Sequence, residues 1–142
     1  MAMTSNSETT TTYRLCRFDT LDNGVVEAVF ASSSVAAVDQ FYVQVEALIM
    51  HTPDKGRAML LINTVKAPTL PIIYTVQQGR NLALRYPDRL FFKTAVIVKS
   101  KTGLLIREVN HLIRSLQLSQ QRISVFTEYQ QNEAIKWLTT HR

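Results

Sequence analysis

Hydrophobic and polar positions along the chain change period several times, and each change marks an element. Tyr13-Arg14-Leu15-Cys16-Arg17-Phe18 alternates, which predicts a strand with Cys16 and Phe18 on one face. Asp22-Asn23-Gly24 follows, and Asn-Gly supplies the positive φ of a hairpin turn before Val25–Phe30 returns as a second strand. The period then lengthens. Val35, Val38, Phe41, Tyr42, Val45, Leu48 and Ile49 form a helical stripe behind Ser32-Ser33-Ser34, whose hydroxyls suit an N-cap. Asp39, Gln40, Gln44 and Glu46 take the wet side, and Pro53 and Gly56 stop the helix. Arg57–Asn63 is a continuous apolar run, as in a strand covered on both faces. Thr69 is placed to cap a second helix with Pro71 in its first turn and Ile72, Ile73, Val76, Ala83 and Leu84 on its buried stripe.

Phe91–Val98 reads as the next strand. Thr102 caps the most regular helix, with Leu105, Ile106, Val109, Leu112, Ile113 and Leu116 on one stripe. Arg122–Phe126 is a last short strand, and Glu133–Leu138 a terminal helix whose Trp137 buries against the sheet. The order is β-β-α-β-α-β-α-β-α. Strands joined by helical crossovers pair in parallel, and the opening hairpin adds one antiparallel strand. The expected fold is α/β: a single mixed sheet of about five strands covered by about four helices. It occupies residues 13–142, behind a flexible Ser/Thr-rich tail over residues 1–12.

Length agrees with this, since 142 residues make one domain. Hydrophobic residues are 46 % and charged residues 19 %, which excludes a disordered chain or a coiled coil. One cysteine, Cys16, excludes a disulfide scaffold, and no apolar run reaches the ~18–20 residues of a membrane span. A cytoplasmic location is the expectation. The net charge of +5 is unevenly spread. Residues 1–78 carry five Lys/Arg against seven Asp/Glu, and residues 79–142 eleven against four. That asymmetry suits an anionic partner face, although the charges stand singly instead of clustering.

The element order and the ending resemble the STAS domain (sulfate transporter and anti-sigma factor antagonist), in its SpoIIAA-like branch. The ending is Ile123-Ser124-Val125-Phe126 followed by Glu133-Ala134-Ile135-Lys136-Trp137-Leu138, similar to that branch's F…E-A-x-x-W-L close. The resemblance covers Tyr13 to Arg142. It implies a SpoIIAA-like fold and a non-enzymatic, regulatory protein–protein interaction module. In the anti-sigma antagonists a Ser or Thr at a helix start after the third strand is phosphorylated, and the phosphate decides which partner is held. The matching stretch here is Ile62–Pro71, with Asn63 where an Asp is common and Thr69 as the hydroxyl at the helix start. No Asp-Ser-Ser-Gly follows, so the motif that carries the switch is incomplete. Some SpoIIAA-like proteins are grouped with lipid-carrying Sec14-type domains, which gives the alternative reading, a small hydrophobic ligand or lipid in the same crevice.

Candidate chemistry concentrates where parallel strands end, because ligands of open α/β sheets favour that crevice. The candidate partner- or ligand-binding residues are Asn63, Thr64, Lys66, Thr69, Lys101 and Thr102, and Thr69 is the candidate phosphorylation site. No cofactor and no metal are expected: His51, His111 and His141 stand apart, none with a second ligand at metal spacing. Cys16 reads as a buried, inert thiol within a strand. No catalytic set emerges, and nucleic acid is not the expected partner, since Phe91 and Phe92 begin a core strand. A second copy of the chain is a further candidate partner, through an open sheet edge.

Overall fold

The computed structural model describes residues 15–51, 58–86, 92–99 and 123–140. Its first feature is the hairpin. Strands β1 (Cys16–Thr20) and β2 (Val26–Phe30) pair antiparallel from Cys16↔Phe30 to Thr20↔Val26. Between them Gly24 takes φ 89°, where a side chain would strain the backbone. The turn is closed by the Gly24 N–H donating to the Leu21 carbonyl at 3.0 Å and the Val25 N–H to Asn23 Oδ1 at 3.0 Å.

Helix α1 (Val35–His51) leads to β3 (Ala58–Asn63), and α2 (Ile72–Arg85) leads to β4 (Phe92–Val98). After β5 (Ile123–Thr127), a 3-10 turn (Glu128–Gln130) opens α3 (Gln131–Thr139). The sheet is mixed, in the order β1-β2-β3-β4-β5, with β2 to β5 all parallel. Right-handed crossovers that always advance in one direction must all lie on one face of the sheet. Accordingly α1 and α2 share a face. Helix α3 is terminal and makes no crossover, so it is free to cover the other.

Strand alternation fills both layers. Ala28, Phe30 and Leu60 meet Val38, Phe41, Val45 and Ile49 of α1 and Leu82 of α2. Phe41 is central, its ring centroid 5.7 Å from Phe18, 5.3 Å from Phe30 and 4.8 Å from Tyr42. On the opposite face Val25, Leu61, Ala95 and Ile97 meet Ala134 and Leu138 of α3. Leu60 and Leu61 are both buried, as a strand covered on two sides requires. Burying such side chains contributes ~1.5–3 kcal/mol each. Helix α3 touches β3, β4 and β5. Beyond its reach the hairpin's other face carries Arg17, Asp19, Glu27 and Val29, with Arg17 and Asp19 paired at 3.0 Å in solvent.

Several expectations need correcting. Three α-helices stand among the described residues, against about four expected; the predicted helix from Thr102 lies outside those residues, as do the residue 1–12 tail, Tyr13, Phe91, His111 and His141. Ser34 does cap α1, its Oγ accepting from the Ala37 N–H at 3.2 Å. Val35, in the first helical position, is nevertheless exposed. Gln40 and Glu46 are half-buried instead of wet. Gln40 Oε1 accepts from the N–H groups of Leu15 (2.8 Å) and Cys16 (3.3 Å), satisfying an edge strand. Glu46 accepts from the Tyr86 hydroxyl at 2.7 Å and lies 3.5 Å from Arg85. In α2 the inward line runs through Thr75, Gly79, Leu82 and Tyr86, leaving Ile73 and Leu84 exposed. Its small residues let α2 settle against Tyr42: the phenol donates to the Thr75 carbonyl at 2.7 Å.

Candidate functional site

Parallel strands β3, β4 and β5 are neighbours, and their C-terminal ends line one edge of the sheet. Neighbouring strands lie ~4.8 Å apart, so the segments that follow them are close neighbours. After β3 the chain is tied down at once. The Thr64 N–H and Oγ1–H both donate to the Ile97 carbonyl of β4, at 2.9 and 2.8 Å. Asn63 Oδ1 accepts from the Val65 N–H at 3.0 Å, and the Ala67 N–H donates to the Thr64 carbonyl at 3.0 Å. Thr64 and Ala67 are buried, while Lys66 and Thr69 are exposed. The loop is therefore a fixed platform with two outward side chains. Of the predicted binding residues, Thr64 has its hydroxyl spent inside the fold and Asn63 is a turn former.

Thr69 does not cap α2. The N-cap is Pro71, at φ −72° and ψ 94°, with no side-chain cap hydrogen bond among the described residues. A cap at Thr69 would require Leu70 to be helical, and the residue before a proline is driven away from that conformation. Thr75 closes the first turn instead, its N–H and Oγ1–H donating to the Pro71 carbonyl at 2.9 and 2.8 Å. Thr69 thus sits two residues ahead of the N-cap, on an exposed position.

Beyond β4, Lys99 is half-buried, and Lys101 and Thr102 lie outside the described residues. Beyond β5, Thr127 and Gln130 form a reciprocal capping box, with the Thr127 N–H donating to Gln130 Oε1 at 3.0 Å. Between them Tyr129 is 82 % exposed. A lone aromatic in a three-residue turn carries no periodic signal, and its place at the strand ends comes from the sheet order alone.

The perturbed side chains lie elsewhere. Burial pushes the Cys16 thiol up to about 12, so at neutral pH it stays protonated and unreactive. Burial also pushes the Tyr42 phenol upward. The Tyr74 phenol donates to Asp39, and that bond raises it further from ionisation. His51 is exposed at the end of α1, with Nδ1 2.7 Å from the Ala47 carbonyl. Among the described residues no three His, Cys, Asp or Glu gather to hold a metal ion, and no helix is long and apolar enough to cross a membrane.

Compared with known proteins, the chain matches no family model, and neither a curated protein nor a solved structure gives a significant match.

Proposed function

We propose that this chain is a STAS-like, non-enzymatic interaction module that docks an acidic protein partner at the strand-end platform after β3. The observation that carries the reading is that platform: a loop pinned by Thr64 and Ala67 that holds Lys66 and Thr69 in solvent beside the start of α2. A surface already ordered before contact loses little conformational entropy on binding. Sheet order supports the resemblance stated for the sequence, since each crossover helix described lies on one face and the closing helix with Trp137 on the other. Phosphate on Thr69 would place negative charge three residues from Lys66 in sequence and alter which partner face fits.

Capture from cell extract by immobilised protein tests this, with Lys66→Glu and Arg17→Glu compared against the parent. Both side chains are exposed, so both variants should fold, which circular dichroism checks. The expected result is a partner retained by the parent and by Arg17→Glu but lost from Lys66→Glu. Equal retention by all three would refute the platform as the docking site, and a co-purifying lipid in place of protein would favour a ligand carrier.

A further inference from the structure

We propose that the outward side of the α1/α2 layer docks a second copy of this chain, in a two-fold antiparallel contact centred on Val43. The face starts from the period of α1. Val38, Phe41, Val45 and Ile49 enter the core, and at 100° per residue Val43 lies about half a turn around from them. Ala36 and Met50 stand seven residues before and after it, so the three share one line to within ~20° per heptad. Ala36 is exposed, and Val43 and Met50 are 66 % and 61 % exposed. The outer line of a surface helix is ordinarily polar. Here α1 has no Lys or Arg, and its acidic Asp39 and Glu46 turn sideways to the Tyr74 and Tyr86 hydroxyls beside α1.

This line fits a copy of itself. Across a two-fold axis each residue meets its mirror position. With the axis at Val43, the two Val43 side chains touch and Met50 lies over the partner's Ala36 at either end, long side chain against short, with no charge buried between them. Helix α2 agrees on the axis. Asp39 bonds Tyr74, Tyr42 stands against Gly79 and Glu46 bonds Tyr86, which sets Val43 level with residues 79–80. Ile73 and Leu84, 64 % and 69 % exposed, are centred between Gln78 and Gly79. The two levels agree to within ~3 Å along the helix, so the same axis brings Ile73 to the partner's Leu84. Only a symmetric partner requires both helices to balance their exposed apolar residues about one level.

Area decides that both helices take part. An outer strip of α1, ~25 Å long and ~10 Å wide, offers about 250 Å². Two such strips total about 500 Å², half of the ~1,000 Å² that a specific interface needs. Adding α2, ~21 Å long, brings the footprint to roughly 900 Å², near that threshold, as in a weak and reversible dimer. Each copy carries a net charge of +5, and Arg80 is exposed near the axis on α2, so salt should tighten the association by screening. The competing route to a second copy, the edge of β1, is guarded. Gln40 Oε1 accepts from the Leu15 and Cys16 N–H groups, and Arg17 and Asp19 stand charged along that strand.

Sedimentation velocity of the full chain from ~10 µM to ~1 mM tests the state, the range suited to a weak interface. The expected result is a monomer–dimer equilibrium that tightens with added salt. Val43→Lys should raise the dissociation constant at least tenfold. The lysine is a favourable partner for Asp39 four residues earlier, so the helix stays folded, yet two like charges meet on the axis. A second reading uses the Cys16→Ala background, which leaves no other thiol. There Val43→Cys should form a disulfide-linked dimer at least tenfold faster than Ala36→Cys, whose copies stand ~21 Å apart along the pair, beyond the ~7 Å reach of a disulfide. Ala36→Cys mixed with Met50→Cys should crosslink as mixed dimers. A monomer throughout the range, a dimer that salt weakens or that Val43→Lys leaves intact, or Val43→Cys closing no faster than Ala36→Cys would each overturn the proposal.

Discussion

Gly79→Ala in α2 sets two effects of similar size against each other. In a helix interior alanine is favoured over glycine by ~1 kcal/mol, so propensity alone predicts a more stable protein. The structure predicts the reverse. A Cβ at Gly79 would stand 2.8 Å from the Tyr42 hydroxyl, well inside contact distance, with the next atom, Cζ, at 3.5 Å. That hydroxyl has nowhere to go. It is held by its bond to the Thr75 carbonyl at 2.7 Å, and the ring is wedged edge-on against Phe41 at 4.8 Å. Overfilling a fixed contact costs ~1–3 kcal/mol, which outweighs the propensity gain, so Gly79→Ala should be net destabilising by up to about 2 kcal/mol. Tyr42→Phe removes the one offending atom and leaves Cζ at an ordinary distance. In that background the same substitution should be neutral or stabilising by ~1 kcal/mol. Urea unfolding of the four proteins, followed by circular dichroism, gives the coupling directly. A Gly79→Ala protein more stable than the parent, or a coupling below about 0.5 kcal/mol, would show that α1 and α2 do not meet at this point.

Two further outcomes follow from other contacts. Lys93 Nζ donates to the carbonyls of Trp137 (2.6 Å) and Thr140 (3.0 Å) and lies 4.6 Å over the Trp137 ring, so it closes the end of α3. Lys93→Met should cost ~1.5–3 kcal/mol, as for a hydrogen bond to a charged group, and shift Trp137 emission; unchanged stability and emission would remove Lys93 from that role. The folded chain keeps Cys16 protonated up to about 12, whereas an unfolded thiol ionises near ~8.5. Stability from this group is therefore complete below that lower value and is lost as pH rises toward the upper one. Cys16→Ala should flatten the alkaline fall in thermal midpoint between pH 8.5 and 10, and an identical fall in both proteins would contradict it.

The strand-end platform shows how far the sequence reaches into the candidate site. Asn63 and the loop after it are located by the end of an apolar run, and Lys66 by its charge. That Thr64 turns inward is set by the Ile97 carbonyl opposite, a consequence of strand register between segments more than thirty residues apart. The misplaced cap at Thr69 had a local cause, since Pro71 already restricts Leu70. Helix α2 is the harder case. Its apolar residues Ile73 and Leu84 drew the predicted stripe, yet its line against α1 uses Thr75 and Gly79, whose value lies in being small.

By itself the sequence determined the hairpin, the alternation of strands and helices, and the buried stripe of α1, because these rest on local period, turn chemistry and capping. Tertiary structure alone decided the strand order, the placing of α1 and α2 on one face with α3 on the other, and the inward use of Gln40, Glu46 and Thr64. Those outcomes depend on which backbone groups and hollows meet across the chain, and a one-dimensional pattern of apolar and polar residues does not encode who stands opposite whom.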